Sequence, residues 1–376
     1  MDKRIRILHV MTRLPVGGAE NALFATLPYY DPERYEQVIV CLSEQGEIGK
    51  RMVEQGYEVI CLGKLGHQFR WDITTDIKRI VRERGINIVA SHQYHGNLYG
   101  RIGAWRGGTQ CISAFVQSTY RRDKKPHRRL LNHLLGRVTD FVFGPSDAVC
   151  ADIIRYDRLP SEKVKNIPNG IDPERFEHGD GARVRAELGI PAEAPVVGTV
   201  GRIHDPKGHE FLVDAMALLR PEHPGLRCII AGDGPLREQI EAQIKRLGLE
   251  GVVHLMGTRS DVPNVLAAMD VYAMPSLWEG QGLALVEAMA AGVPAVASDI
   301  QSLRETSGGD ASVIHVPVKD SRALAQGIAT ILGDPKGSRE RAQRARQVVY
   351  ARHTAAASVR QYCELYEGVL QAKGII

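Results

Sequence analysis

Short β-branched apolar runs alternate with longer amphipathic stretches along nearly the whole chain. In order they read IRILHV, QVIVCL, EVICL, INIVASH, CISAFV and FVFGPS, then VVGTVGRI, LRCIIAGDG, VVHLMGT, VYAMPS, PAVASD and SVIHVP. A strand with one wet face alternates apolar with polar residues, whereas these runs are almost continuous, as strands covered on both faces are. Helical stretches between them complete a βα repeat, which predicts two open parallel sheets with helices on both sides: an α/β protein with two doubly wound, Rossmann-like domains. Ligands of such sheets bind beyond the C-terminal ends of the strands. Two glycine-bearing loops fall at such ends, GGAE (Gly17 to Glu20) after the first strand and GRIHDPKG (Gly201 to Gly208) after VVGTV.

Length supports the division, since 376 residues exceed what one core usually serves. Between IPNGID and VVGTVGRI the segments HGDGAR and IPAEAP lose periodicity, so a boundary is expected near residue 175, with domains at 1–175 and 176–355. At 44% hydrophobic and 24% charged residues, the composition is that of an ordinary globular protein rather than a disordered or repetitive one. Six scattered cysteines (Cys41, Cys61, Cys111, Cys150, Cys228, Cys363) show neither CxxC nor Cys/His ligand spacing, and are read as reduced thiols in apolar surroundings. No run approaches the roughly 20 apolar residues of a membrane span, and the first strand is too short for a signal peptide. The expectation is a cytoplasmic protein, at most peripheral on the inner face of the membrane.

Charge refines this. Up to Phe176 there are 27 basic and 20 acidic residues; after it, 21 and 24. The excess is sharpest in YRRDKKPHRRLL, where Arg121, Arg122, Lys124, Lys125, Arg128 and Arg129 fall within nine positions. A solvated helix face or loop accounts for such a run; so does contact with anionic headgroups or a lipid pyrophosphate. Nucleic acid is not expected, because no aromatics interleave beyond Tyr120.

The stretch PSLWEGQGLALVEAMAAGVP carries the clearest chemistry. Gly280 and Gly282 allow close backbone approach, and Leu283 to Met289 reads as a helix closed by Gly292 and Pro294. A helix N-terminus after a glycine turn suits phosphate. Glu279 stands before the helix and Glu287 over a turn inside it, so the two carboxylates can hold hydroxyl-bearing groups on either side of a diphosphate. Glu279 alone could merely favour the helix dipole, but Glu287 sits among apolar neighbours, where a carboxylate rarely lies without a partner.

This stretch resembles the EX7E motif of retaining glycosyltransferases with the GT-B fold, in particular family 4 (glycosyltransferase group 1 type). The resemblance extends through GGAE, NIVASH, IPNGID, GRIHDPKG, AGDGPLRE and MGTRSDVPNVLAAMD, in that order and over almost the whole chain. It implies an active site in the cleft between the two domains, and a last helix within 356–376 that crosses back to the first domain. It also implies transfer of a sugar from a nucleoside diphosphate to a hydroxyl acceptor, with UDP-sugars expected first and GDP-mannose second. Acceptors would be glycans or lipid-linked glycans of surface polysaccharide, lipopolysaccharide or glycolipid synthesis.

By the same resemblance Arg202 and Lys207 grip the donor diphosphate, Glu279 holds hydroxyls of the transferred sugar and Glu287 those of the ribose. The amides of Gly282 and Leu283 face the diphosphate. Gly17 and Gly18 approach donor or acceptor closely, though a tight βα turn would explain them equally. Arg259, beside Met256 and Gly257, stands where the family approaches the nucleobase, or is a surface arginine. His92 takes the reactive side of the donor sugar, with His95 on the acceptor side; either could instead be a structural histidine. Many members read His-x-His where this chain has Ala90 and His92, an aromatic residue where it has Gln281, and a further histidine at Gln117. Asn169 and Gly170 are expected to shape a turn. No Asp-x-Asp motif occurs, so transfer without metal or other cofactor is expected, the two cations bearing the leaving-group charge. A dinucleotide-binding oxidoreductase would need GxGxxG with an acid about 20 residues on, which is absent. A silent nucleotide-sugar-binding protein remains the other alternative.

Overall fold

A computed structural model describes residues 4–66, 68–119 and 126–376. The chain divides into two compact units: Met1–Ile171 with Ala355–Ile376, and Asp172–Thr354.

Unit 1 holds a seven-stranded, all-parallel sheet: β1 (Ile5–Met11), β2 (Tyr35–Cys41), β3 (Glu58–Cys61), β4 (Ile88–His92), β5 (Cys111–Phe115), β6 (Phe141–Gly144) and β7 (Val164–Asn166), in the order β3-β2-β1-β4-β5-β6-β7. Unit 2 holds six parallel strands: β8 (Val196–Val200), β9 (Arg227–Ala231), β10 (Val253–Gly257), β11 (Val271–Met274), β12 (Ala295–Ser298) and β13 (Ile314–Val316), in the order β10-β9-β8-β11-β12-β13. Both are Rossmann-like sheets of the kind expected. The twelve apolar runs each supply a strand. β7, missed by the pattern, is only VKN and too short and polar to register as a run.

Strand order reverses between β1 and β4 in unit 1 and between β8 and β11 in unit 2. At such a switch point the two flanking helices leave on opposite faces, so a crevice opens beyond the C-terminal strand ends. GGAE follows β1 and Gln93 follows β4; GRIHDPKG follows β8 and PSLWEG follows β11. The motifs thus pair up by topology.

The cores lie on the two faces of each sheet. In unit 1 one face is filled by Ile5, Ile7, Ile88, Phe115 and Phe143 against Val359, Tyr362, Tyr366 and Leu370 of the helix Ala355–Ala372. Tyr366 Oη, buried there, hydrogen-bonds Ser113 Oγ at 2.8 Å. Unit 2 buries Val197, Cys228, Ile230, Val271 and Val296 under Leu212, Met216, Leu324 and Ile328. All six cysteines are free. Contrary to expectation Cys61 is exposed; it stands directly across the β2–β3 pairing from buried Cys41, Sγ to Sγ 3.5 Å. Among the described residues no helix is long and apolar enough to cross a membrane.

Candidate active site

In unit 2 the loops at the switch point are fastened to one another through backbone. Leu277 N donates to Pro206 O at 2.7 Å, and Gly208 is left-handed (φ +63°) with room for no side chain, since a Cβ there would lie 2.2 Å from Pro275 O. The same loop is held from its other side, where Ile203 N donates to Asp233 O and Leu236 N to Ile203 O. This fixes where Lys207 and Glu279 project.

Lys207 Nζ donates to Glu279 Oε1 at 2.6 Å, and Ser276 Oγ donates to the same oxygen at 2.8 Å. The pair is largely shielded, with side-chain exposures of 21% for Lys207 and 12% for Glu279. One ammonium hydrogen is used, leaving two for phosphate oxygens. Ser302 Oγ holds the Glu279 carbonyl at 3.0 Å. Arg202 extends from the same loop, exposed, its side chain bonded to no described residue. Its carbonyl accepts from His204 Nδ1 at 3.0 Å. Burial lowers the pKa of His204; Lys207 and Arg202 lower it further, while the carbonyl bond and Glu279 oppose them. Arg202, His204, Lys207 and Glu279 therefore form one electrostatic neighbourhood.

The helix Leu283–Ala290 starts beside them. Gly282 precedes it at φ +93°, and a Cβ would meet Leu303 Cδ2 at 2.5 Å, so glycine is required twice over. Glu287 lies one turn in. Burial pushes its carboxyl up to about 7, against the pull of Arg175 and Lys207. Tyr272, a wholly buried residue of β11, is raised by burial first and by Glu287 next, and its hydroxyl donates to Val200 O at 3.4 Å.

Arg259, expected near the base, and Gln281 of the turn have their own partners. Arg259 is engaged by two carboxylates: Nε and Nη2 donate to Asp261 at 2.8 and 2.9 Å, Nη1 and Nη2 to Glu187 at 2.7 and 3.1 Å. Gln281 is only 3% exposed; it faces His353 Nδ1 at 3.4 Å, while His353 Nε2 reaches Thr306 O at 2.9 Å. It braces the turn from behind.

Unit 1 gathers a different set. His92, the last residue of β4, is 4% exposed and stacks on Phe115 with ring centroids 4.3 Å apart. His9 of β1 faces it, Nδ1 to Nε2 3.4 Å. The register explains this: His9 is opposite Ala90, so the residue two further along β4 projects on the same face. Where the family pattern has a first histidine and this chain has Ala90, the neighbouring strand supplies an imidazole. Burial pulls His9 down to about 4, and pushes His92 well below the usual range with His9 adding to the shift, so both rings are neutral at pH 7. They line a cavity of about 20 Å3 with Tyr30, Gln117, Asn169 and Tyr362, enough for roughly one water. Asn169, expected only to shape a turn, exchanges two hydrogen bonds with Gln117 at 2.6 and 3.1 Å.

Gly17 is extended (φ −167°), so its backbone does not demand glycine. A Cβ there would lie 2.4 Å from Glu20 Oε2, so any side chain at 17 would have to displace that carboxylate. Buried Glu20 has a raised pKa through burial, and accepts from Gln93 Nε2; Gln93 Oε1 in turn accepts from Thr12 N at 3.1 Å. Gln93 itself is left-handed (φ +59°), a strain that marks a place where position matters more than local stability. Gly18 opens the helix Gly18–Thr26. His95 lies in the first turn after Gln93, its ring against Tyr94, and is lowered by burial and by Arg128. Arg128 sits 4.1 Å over the Tyr94 ring and Arg129 4.7 Å over Tyr156. Arg121, Arg122, Lys124 and Lys125 lie outside the described residues.

Residues missed by sequence reasoning are Ser276, His204, Arg175 and Tyr272 in unit 2, and His9, Glu20, Gln93 and Phe115 in unit 1. Ser276, His204 and Glu20 stood inside noted motifs.

Residues 16–175 match Glycosyltransferase Family 4 and residues 181–348 match Glycosyl transferases group 1. A Bacillus subtilis protein, Putative glycosyltransferase EpsF, is 26% identical over 305 residues, 78% of this chain and 79% of that one. The Escherichia coli UDP-Gal:alpha-D-GlcNAc-diphosphoundecaprenol alpha-1,3-galactosyltransferase is 28% identical over 316 residues, 79% and 80% of the two chains. Anabaena HepE, solved in complex with UDP-glucose, shares the fold at a TM-score of 0.83 and 23% identity, over 97% of this chain and 100% of that one. With a family 4 domain followed by a group 1 domain on two parallel α/β sheets, this chain is a glycosyltransferase of the GT-B type.

Proposed function

We propose that the chain is a retaining, metal-independent hexosyltransferase. It moves a sugar from a UDP-sugar, with GDP-mannose the second choice, to a hydroxyl of a glycan or lipid-linked acceptor in surface polysaccharide, lipopolysaccharide or glycolipid synthesis. The observation that carries this reading is the Lys207–Glu279 pair at the unit 2 switch point, beside Glu287 and a glycine-started helix. In this reading the diphosphate lies on the amides of Gly282 and Leu283 between Arg202 and Lys207. Glu287 takes the ribose hydroxyls and Glu279 those of the sugar. Arg259 keeps the base-side loop in place. As the bond from C1 to the phosphate oxygen breaks, the acceptor oxygen bonds C1 on that same face, and the leaving phosphate oxygen takes the acceptor proton. The protein supplies position and fixed charge.

Unit 1 is assigned the acceptor. His92 takes the reacting side of the sugar, with Gly17 and Gly18 close by in the reading. His95 and the basic run from Arg121 to Arg129 take an anionic acceptor or membrane surface. Support comes from Arg128 beside His95, and from Leu130 and Leu134, which are 60% and 45% exposed on one side of the helix Pro126–Leu135. A diphosphate-linked lipid acceptor fits such a surface, as the E. coli relative's name also suggests.

A panel of nucleotide-sugars, read by thermal stabilisation and donor hydrolysis, tests the proposal. One UDP-sugar should stabilise the protein and turn over, with an anomer-retained product by NMR and a rate changed less than about twofold by EDTA. An inverted product, EDTA abolition with rescue by manganese, or no response to any nucleotide-sugar would overturn it.

A further inference from the structure

The loops that enter β5, β6 and β7 enclose a groove of about 390 Å3 at the N-terminal ends of those strands, a size typical of small-ligand sites. His92, by contrast, closes β4 at its C-terminal end, so the groove belongs to the other rim of the sheet. Its lining is aromatic and cationic. Trp105 is 61% exposed. Arg137 is exposed and forms no hydrogen bond or ion pair with a described residue. Thr109 Oγ1 is buried without a partner. Lys163 Nζ donates to the carbonyls of Gly136 and Thr139 at 2.9 and 2.8 Å, and Lys373 Nζ to that of Gln110. Each ammonium has a hydrogen left over. Asp140, the one carboxylate of the lining, is already engaged: Oδ2 accepts from Ile112 N at 2.8 Å and Oδ1 lies 3.5 Å from Lys373.

Each part suits a different feature of one ligand class. A tryptophan ring left in water offers a flat apolar face to the C–H face of a pyranose. Three cations against one engaged carboxylate favour a negative group, which Arg137 can hold through two parallel N–H bonds. The carbonyl of Thr139, which lines the groove, keeps a lone pair for a sugar hydroxyl, which a bare inorganic anion would not use. A single aromatic gives no platform for successive stacked bases, which argues against a nucleic-acid strand.

We propose that this groove is a non-catalytic binding site for an acidic oligosaccharide, holding a carboxylate-bearing glycan on unit 1 away from the reacting groups. The choice of a saccharide rests on the transferase reading; the anion and aromatic recognition does not. The full chain is titrated by calorimetry with trigalacturonate, and in parallel with maltotriose, inorganic phosphate, a short oligo-dT and UDP. Trigalacturonate should bind, more weakly as salt rises, and maltotriose less tightly. Trp105→Ala and Arg137→Ala should each weaken trigalacturonate about tenfold with UDP affinity unchanged; both positions are exposed, so the fold survives. Absence of trigalacturonate binding at millimolar concentration, equal affinity for phosphate or oligo-dT, or indifference to both substitutions would overturn the site. Failure of UDP alone to bind would count against the transferase reading and leave the groove standing.

Discussion

The switch-point loops of unit 2 and the His92 cavity of unit 1 solve opposite electrostatic problems. In unit 2 charge is paired and partly buried: Lys207 on Glu279, with the Ser276 hydroxyl on the same oxygen, and Glu287 raised by burial to about 7 against the pull of Arg175 and Lys207. In unit 1 the corresponding place is aromatic and neutral, with two imidazoles held uncharged by burial against Phe115. A departing diphosphate needs fixed positive charge, whereas a histidine beside a sugar serves by accepting or donating one hydrogen bond and would be disturbed by a proton. In the proposed reaction, the two halves would divide the labour by polarity.

Removing charge from the unit 2 side should therefore do most harm. Lys207→Ala should lower kcat by several hundredfold, since it deletes a phosphate cation and leaves Glu279 without its ion-pair partner. Steady-state kinetics with the identified donor would read this, and a loss below fivefold would break the contrast at its root. On the neutral side, His92→Ala should lower kcat about 100-fold while UDP Kd moves less than about fivefold; His9→Phe, which keeps a buried ring, should cost about tenfold in kcat. A large rise in UDP Kd with either substitution would mean that the two regions share the nucleotide.

Glu287 sharpens the comparison by pH. Hydroxyl donors favour its ionised form, so UDP affinity should rise about tenfold from pH 6 to pH 8 as a group titrating near 7 loses its proton, and Glu287→Gln should flatten the profile. The sign for stability is the reverse. A carboxyl raised above its unfolded value of 4.5 favours the fold fully below that value, and the contribution is lost as pH rises through about 7. Calorimetric titration and thermal melts over this window check both slopes. The smallest effect is expected from Gly282→Ala, where a left-handed backbone and Leu303 oppose a methyl; about 1–2 kcal/mol, a Tm lower by a few degrees, and weaker diphosphate binding should follow.

Both sheets were legible in the sequence because strands covered on two faces leave continuous apolar runs, and β7 escaped because three polar-flanked residues leave none. Lys207, Glu279 and Glu287 could be picked out because each stands within a few residues of a glycine, the first two in loops and Glu287 in the helix that Gly282 precedes. His9 could not: its place beside His92 depends on a strand register between residues 83 positions apart, and IRILHV alone gives no sign of it. The surroundings of Gln281 were illegible for a related reason, since the turn points it inward at His353, a residue 72 positions on. The partners of Arg259 were half legible, since Asp261 stands two residues on but Glu187 lies in the distant helix Gly181–Glu187.

The helix Ala355–Ala372 gives the chain an order of assembly. Unit 2 is a continuous stretch that ends at Thr354, whereas one face of the unit 1 sheet waits for Val359, Tyr362, Tyr366 and Leu370 to cover it. During synthesis the second unit has all of its sequence first, and the strands made before it are sealed by residues made after it. Until residues 355–372 are made, Ile5, Ile88 and Phe143 lack their cover, so a ribosome that stops short of residue 355 releases a chain with the whole of unit 2 and an uncovered unit 1 sheet.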